Sequence, residues 1–565
     1  MTDGSPTSQT VSLPRPLPFL VTAFTVGVVL WLVVGTATTR AHAPVAFDGD
    51  EAIHALGGAT IYSDLARGDL PAFLRHTYAQ NRYPFLYSYF QVPLLAVLGI
   101  TPMAHRLVGI VAMVVLCVGV YLCVVWSRPG PNAWLGGCLA ALLMGACPVL
   151  MSVASRVYIE TAGMAVMMLT YGCYLRACAT RSRRWAWATG LLHATAWFTK
   201  WQFGILVSLA LLGSILIRTY PRWRRAAADP VVLRTLLPAW LAVGLWMVNP
   251  YQLRALLLYL TYPEHGSWIG GLGHAVAAQL RLLLGHEYTG LAVAGWVGLG
   301  GLVWGLWRLR RPAVLLLVLS VVVAVVGTAK TDPTNPLAFP KHGVWVLPPL
   351  WALVGLAVND VVARLIRNPQ KLRTRVTYPV LVSGLVLMLV GAGINAERAL
   401  RHGVVRVGEG LPSELWAISR GLVELVPPDR YVTTIGCGDR LFSLNLMKWA
   451  YLAELGAGGL RYDDLHIWEY PPPDPMLRDV VHWRWRWPWQ IRRPGPQPAA
   501  QPDPAMVLER AGIDTVVICC GQHESCLAAD RPLQTALHEL GFRPVAQFAG
   551  TNWRQLLIVY SHHDE

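Results

Sequence analysis

Phe85-Leu86-Tyr87-Ser88-Tyr89-Phe90-Gln91-Val92-Pro93-Leu94-Leu95-Ala96-Val97-Leu98-Gly99-Ile100 is an apolar run interrupted by a proline. A helix that crosses a bilayer needs about 20 mostly apolar residues, so this run is short for a crossing. Eleven other runs surround it: Phe19–Gly35, Leu107–Trp126, Ala133–Ala154, Thr161–Leu175, Trp185–Phe198, Phe203–Ile217, Leu236–Val248, Leu291–Trp307, Ala313–Val326, Gly343–Val362 and Val380–Ile394. The basic loops between them are Arg176–Arg184, Arg218–Arg234, Arg308–Arg311 and Arg364–Arg375, together with Arg128. Lys and Arg concentrate on the cytoplasmic side of membrane proteins. All these loops fall on that side only if Phe85–Ile100 does not cross. The reading is therefore eleven spans, with the N-terminus inside and Phe85–Ile100 re-entrant or lying on the surface.

The composition of the 565 residues agrees. Charged residues are 14%, hydrophobic residues 54%, the net charge is +15 and the mean hydropathy is +0.42. Soluble domains carry about 25% charged residues. The values exclude an ordinary soluble enzyme and a disordered chain. They also speak against a nucleic-acid partner, because the basic excess is spread between apolar runs instead of forming one patch. Ala41-His42-Ala43 has the form of a signal-peptidase site, but the single upstream Arg and the long first run favour a retained span.

Parity places Thr36–Arg106, Ser155–Glu160, Lys200–Gln202, Tyr251–Tyr288, Lys330–His342 and the tail from Asn395 outside. In the tail, Tyr431–Ile435, Thr515–Cys519, Pro544–Phe548 and Leu556–Tyr560 read as strands. Leu441–Leu455, Pro504–Ala511 and Pro532–Leu540 read as helices between them. The expected architecture is an α-helical polytopic membrane domain over 1–395, with its first outer loop at 36–106, and an extracytoplasmic α/β domain over 396–565. The expected location is the cell membrane. Cys117, Cys123, Cys138, Cys147, Cys173 and Cys178 read as small packing residues. In an oxidising compartment a Cys520–Cys526 or Cys519–Cys526 bridge is open. Trp483-Arg484-Trp485-Arg486-Trp487-Pro488-Trp489 alternates aromatic and basic residues, which suits a segment resting on lipid headgroups; an aromatic platform for a sugar chain is the sharper alternative.

The first outer loop holds Phe47-Asp48-Gly49-Asp50-Glu51-Ala52, three carboxylates just outside the first span. Ile53, Leu56, Ile61 and Leu65 follow on one face of a helix expected along the membrane surface. An acid at a helix start is often only an N-cap. Lys200, Arg82 and the Lys341-His342 pair are cations on the outer face, where the charge bias disfavours them. Snorkelling and interfacial Trp201 account for Lys200 equally well. Arg156 and Glu160, spaced i,i+4, read as a helix-end pair. His265 follows Tyr262-Pro263-Glu264 in an outer loop and has no metal-like partner in sequence.

Asp50-Glu51-Ala52, then Arg82-Tyr83-Pro84-Phe85-Leu86-Tyr87, Ser155-Arg156-Val157-Tyr158-Ile159-Glu160, Phe198-Thr199-Lys200, Lys341-His342 and Leu508–Val517 come in an order that resembles GT-C membrane glycosyltransferases. The nearer resemblance is to the protein O-mannosyltransferase and aminoarabinose-transferase group. The chain departs from that pattern at Tyr83-Pro84, where a Pro-Pro pair is common, and at Gly49. The resemblance implies an inverting transfer from a polyprenyl-phosphate sugar to an acceptor hydroxyl of a protein, lipid or glycan outside the membrane. Asp50 is the implied base, with Glu51 as the second choice or an orienting group. Arg82, Tyr83, Arg156, Lys200, His265, Lys341 and His342 are the implied substrate-binding residues. No cofactor is firmly implied, and a divalent metal stays open. The competing class is a transporter or flippase of lipid-linked or envelope substrates. Charges at span ends, with mid-span acids nearly absent, disfavour it.

Overall fold

The computed structural model describes residues 16–36, 47, 49–80, 83–127, 133–221, 229–249, 252–253, 256–257, 268–284, 292–329, 338–367, 414–435, 444–455, 460–465, 467–469, 508–509, 511, 513–520, 531–549 and 556–562. Val380–Ile394, Arg82, His265, Cys437, Cys526 and Trp483–Trp489 lie outside them.

Helices dominate the first two thirds. In chain order they are α1 (Pro16–Thr36), α2 (Gly49–Arg67), α3 (Leu70–Ala79), α4 (Leu86–Leu98), α5 (Pro102–Ser127), α6 (Ala133–Gly145), α7 (Pro148–Ala154), α8 (Ile159–Thr180), α9 (Arg183–Thr199), α10 (Trp201–Thr219), α11 (Pro230–Met247), α12 (Trp268–Leu284), α13 (Ala292–Trp307), α14 (Pro312–Thr328), α15 (Ala338–Gly343) and α16 (Leu347–Arg367). Each described apolar run of the sequence reading is helical. Among the described residues, four stretches are long and apolar enough to cross a membrane: Pro102–Ser127, Trp201–Thr219, Pro230–Met247 and Lys341–Arg364. The α6–α7 pair is a fifth if counted as one broken span, bent by 66°. Pro148 opens α7 there; it has no N–H to continue the α6 ladder and suits a first helical turn. The eleven crossings of the sequence reading are thus a larger number than length and apolarity select among these residues.

The run that decides the topology is α4. At about 1.5 Å per residue its 13 residues extend roughly 20 Å, against a hydrocarbon core of about 30 Å. Tyr87, Ser88, Gln91 and Leu95 are its buried side, turned to α2. Gly58 allows that approach: a Cβ there would collide with the Gln91 side chain, which donates to the His54 carbonyl at 2.9 Å.

Helix α2 departs from expectation. Leu56 and Ile61 are buried, but so are Ala52, Ala55, Ala59, Thr60, Ser63 and Asp64, while Leu65 is 44% exposed. The helix is enclosed on more than one side by α3, α4 and the tail rather than presenting a single apolar face. Its alanines and glycines make this close packing sterically cheap.

The tail contains α17 (Glu414–Leu425), β1 (Val432–Ile435), α18 (Leu444–Leu455), β2 (Ile467–Glu469), β3 (Thr515–Cys520), α19 (Arg531–Glu539), β4 (Phe542–Ala549) and β5 (Leu556–His562). The sheet order is β2-β1-β3-β5-β4. β1 runs parallel to β2 and β3, with Val432 opposite Ile467 and Thr515. β5 is antiparallel to β3 and β4. The four expected strands are present, and β2 is additional. The tail and the α2 segment share a core: Phe47, Ala52, Ala55, Leu56 and Ala59 cluster with Leu422, Leu446, Trp449, Ala450 and Val517. Phe47 meets Trp416 and Trp449 edge-on, with centroids 5.2 and 5.0 Å away.

Candidate active site

Four segments far apart in sequence meet at the start of α2. Asp50 is in the first turn of that helix. Its Oδ2 accepts a hydrogen bond from Lys341 Nζ, which α15 supplies from 291 positions away. Lys341 also lies 4.3 Å from the Tyr158 ring centroid and 3.9 Å from Glu160 Oε1. Glu160 opens α8 and is fully buried; its Oε1 accepts from Lys200 Nζ at 2.6 Å and lies 3.8 Å from His342 Nε2. Lys200 sits at the α9–α10 junction, 5.5 Å from the Tyr83 centroid and 5.6 Å from that of Trp345. Lys200 is buried and bound to Glu160; it does not reach for the interface as the snorkelling alternative requires.

Two carboxylates thus face two ammonium groups: Asp50 and Glu160 lie in the first turns of α2 and α8, Lys200 at the cap of α10 and Lys341 in the last turn of α15. The Asp50 side chain is 36% exposed, against 6% for Lys341. Burial pushes the Asp50 carboxyl up, but the charge and hydrogen bond of Lys341, with His54 and Lys200 behind, hold it well below the usual carboxylate range. It is ionised at neutral pH. His54, one turn along α2, is pushed down to about 3, by burial first and by Lys341 and Lys200, against the pull of Asp50 and Glu160. It is a neutral imidazole, tilted against the Tyr83 ring with centroids 4.7 Å apart.

Glu51 points elsewhere. Its side chain is 1% exposed; Oε1 accepts from the Val157 N–H at 3.0 Å and lies 3.6 Å from Arg106 Nε, and Oε2 lies 3.7 Å from Arg156. Arg156 is therefore paired with Glu51, and Glu160 with Lys200; the expected Arg156–Glu160 helix-end pair does not form. The spacing was right for it, but a buried ammonium at 2.6 Å outcompetes a local partner that has its own buried carboxylate.

Of the residues expected at the site, Asp50, Tyr83, Lys200, Lys341 and His342 converge, and Glu51 with Arg156 forms the adjoining cluster. Arg82 and His265 are outside the described residues. Glu160 is the member that sequence reasoning missed. An acid in the first turn of a helix that continues as a long apolar run needs a partner once buried, and that was the available signal. Among the described residues no group of three or more His, Cys, Asp or Glu side chains is placed to hold a metal ion.

No family model and no curated protein matches the chain. Solved structures do. ArnT from Cupriavidus metallidurans bound to undecaprenyl phosphate matches with a TM-score of 0.59 at 15% identity, over 95% of this chain and 98% of that one. The same protein in its apo state gives 0.56 at 16%, with the same coverage. The Archaeoglobus fulgidus oligosaccharyltransferase, in complex with Zn and sulfate, gives 0.51 at 10% identity, over 95% of this chain and 73% of that one. ArnT, an aminoarabinose transferase, and the archaeal enzyme are both GT-C glycosyltransferases, and this chain has their fold.

Proposed function

We propose that this chain of GT-C fold is an inverting glycosyltransferase. It moves a sugar from a polyprenyl phosphate to an acceptor hydroxyl on the extracytoplasmic face of the cell membrane. The observation that carries the reading is the meeting of Asp50, Glu160, Lys200 and Lys341 from four separate segments. The match to ArnT bound to undecaprenyl phosphate supports a lipid phosphate as the donor's carrier.

Asp50 accepts the acceptor's hydroxyl proton while that oxygen attacks the anomeric carbon, and the carbon–oxygen bond to phosphate breaks from the opposite side. The electron pair leaves with the phosphate. A phosphodiester carries one negative charge before the step and gains a second as it departs. Lys200 and Lys341 consequently attract the transition state more than the bound donor, which is the condition for lowering the barrier. For this, Lys341 shares its proton donors between Asp50 and the arriving phosphate, and Glu160 keeps both ammonium groups in place. Glu51, under Arg106 and Arg156, holds the turn before α8 against α2. In this reading eleven spans over 1–395 carry the chemistry, α4 does not cross, and 396–565 lies outside the membrane.

Cells lacking the protein should accumulate one polyprenyl-phosphate sugar, measured by mass spectrometry of their lipid extract. Restoring the wild-type chain should clear it, and restoring Asp50→Asn should not. A lipid profile unchanged by the loss would sink the reading.

A further inference from the structure

Beside the charged cluster, α2, α3, α4 and α18 surround a cavity of about 210 Å³. Pockets for drug-sized ligands run to roughly 300–1,000 Å³, so this one has the scale of a single ring. His54 and Tyr83 are its wall toward the cluster, and Lys200 stands over the Tyr83 ring. Thr60, Gln80 and Ser88 supply hydroxyl and amide groups from the outer loop. Asn445 and Tyr462 close it from the tail. The tail therefore completes its wall.

Its charge is unusual for a space so near four ionised groups. Among the described lining residues there is no carboxylate. His76 is the lining group that carries charge, raised to about 9 by its bonds to Asp463 and Asp64 against the effect of burial. Both its ring nitrogens are engaged, Nδ1 with Asp64 at 2.6 Å and Nε2 with Asp463 at 2.9 Å, so that charge is already balanced. His54 is neutral. An ammonium group entering the cavity would lose water, meet no carboxylate in the lining, and face Lys200 across Tyr83. A hydroxyl would find side chains that both donate and accept.

We infer that this cavity is the subsite for the donor's sugar ring, and that it selects a neutral, hydroxyl-bearing ring over an amino sugar. The inference rests on the donor reading above and adds the chemistry of the sugar to it. The rings of His54 and Tyr83 put the anomeric end of such a sugar next to the phosphate cations, with its hydroxyls turned to Thr60, Gln80, Ser88 and Asn445.

The test uses the full chain in nanodiscs and equilibrium binding of undecaprenyl phosphate, alone and linked to mannose, glucose, arabinose, glucosamine or 4-amino-4-deoxyarabinose. At least one neutral glycosyl lipid should bind about tenfold tighter than undecaprenyl phosphate, the worth of one or two hydrogen bonds. Neither amino-sugar lipid should gain. Asn445→Phe, filling the cavity from the tail, and Thr60→Met, filling it from α2, should each abolish the gain and leave undecaprenyl phosphate binding unchanged. The inference is overturned if no neutral lipid gains, if an amino-sugar lipid binds tighter than its neutral counterpart, or if a folded filling variant keeps the gain. Failure of undecaprenyl phosphate itself to bind would overturn the donor reading, and this inference with it.

Discussion

Lys200 donates to Glu160 at 2.6 Å, and neither side chain is more than 2% exposed. The pair ties the start of α8 to the α9–α10 junction. Lys341 Nζ and the His342 ring lie within 4 Å of the same carboxylate oxygen, so Glu160 is a point shared by both ammonium groups of the site. Its other oxygen, Oε2, is buried without a hydrogen bond among the described residues. A buried pair adds little net stability over a well-packed apolar pair, but removing one partner leaves an uncompensated charge.

Glu160→Gln should therefore be costly in a way that Lys200→Met is not. The first leaves the buried Lys200 without its carboxylate and Lys341 with Asp50 alone, at an expected loss of about 3–5 kcal/mol. The second leaves Glu160 with Lys341 and His342 and should lose less. Denaturant unfolding of both variants in detergent ranks them. Equal stability of Glu160→Gln and wild type would remove Glu160 from its place as the shared point.

Lys200 stood out in sequence because it lies apart from the other basic loops, whereas Asp50 and Lys341 stood out through their place in the ordered motifs that resemble GT-C enzymes. Glu160 was read as a local partner because Arg156 stood four residues before it, whereas its true partner is 40 positions away. Pairings of that range leave no mark in spacing. The helical face of α2 was half legible, since Leu56 and Ile61 are apolar but Ala55, Gly57 and Ala59 are too small to register as a face. Strand β2, with three residues, is shorter than any alternation that would reveal it. The cavity wall that Asn445 and Tyr462 complete depends on the docking of the tail, which no local pattern encodes.

The tail's docking should depend on pH through His76. Asp463 and Asp64 raise its folded value to about 9, above the ordinary 6.5. A raised histidine contributes stability that is fully present below the unfolded value and lost as pH rises through the folded one. The wild-type thermal midpoint should accordingly fall between pH 6.5 and pH 9.5 by more than that of His76→Gln. Parallel falls in the two proteins would mean that the Asp64–His76–Asp463 bridge does not hold the tail.

Gly58→Ala should loosen the same region from the other side. Alanine favours a helix over glycine by about 1 kcal/mol. Here its Cβ would displace Gln91, which donates to the His54 carbonyl and accepts from His105 Nδ1, itself held by the Trp449 N–H at 3.0 Å. Overpacking costs typically 1–3 kcal/mol, so the net effect is expected to be destabilising. Because Trp449 belongs to the tail, limited proteolysis should cut the tail faster in this variant; an unchanged cleavage rate would count against the chain of contacts.

The last prediction separates the two neighbouring acids. Asp50→Asn is isosteric, its side chain is about one third exposed, and the amide oxygen still accepts from Lys341. Glu160 stays beside Lys341, so stability should change little, and binding of undecaprenyl phosphate should hold or improve, because an amide competes with the phosphate for Lys341 less than a carboxylate does. Transfer should fall by about 10² to 10⁴, the usual cost of losing a positioned general base. Glu51→Gln should do the reverse. The Val157 N–H keeps an acceptor, but Arg106, whose side chain is 3% exposed, loses a buried counter-charge, so folding should suffer while the folded fraction retains most of its rate. The measurement is donor turnover per folded molecule, with the folded fraction taken from size-exclusion profiles. If Asp50→Asn keeps more than about a tenth of the wild-type rate, the base lies elsewhere. If Glu51→Gln then shows the larger loss per folded molecule, Glu51 takes that role and Lys341–Asp50 becomes a structural pair.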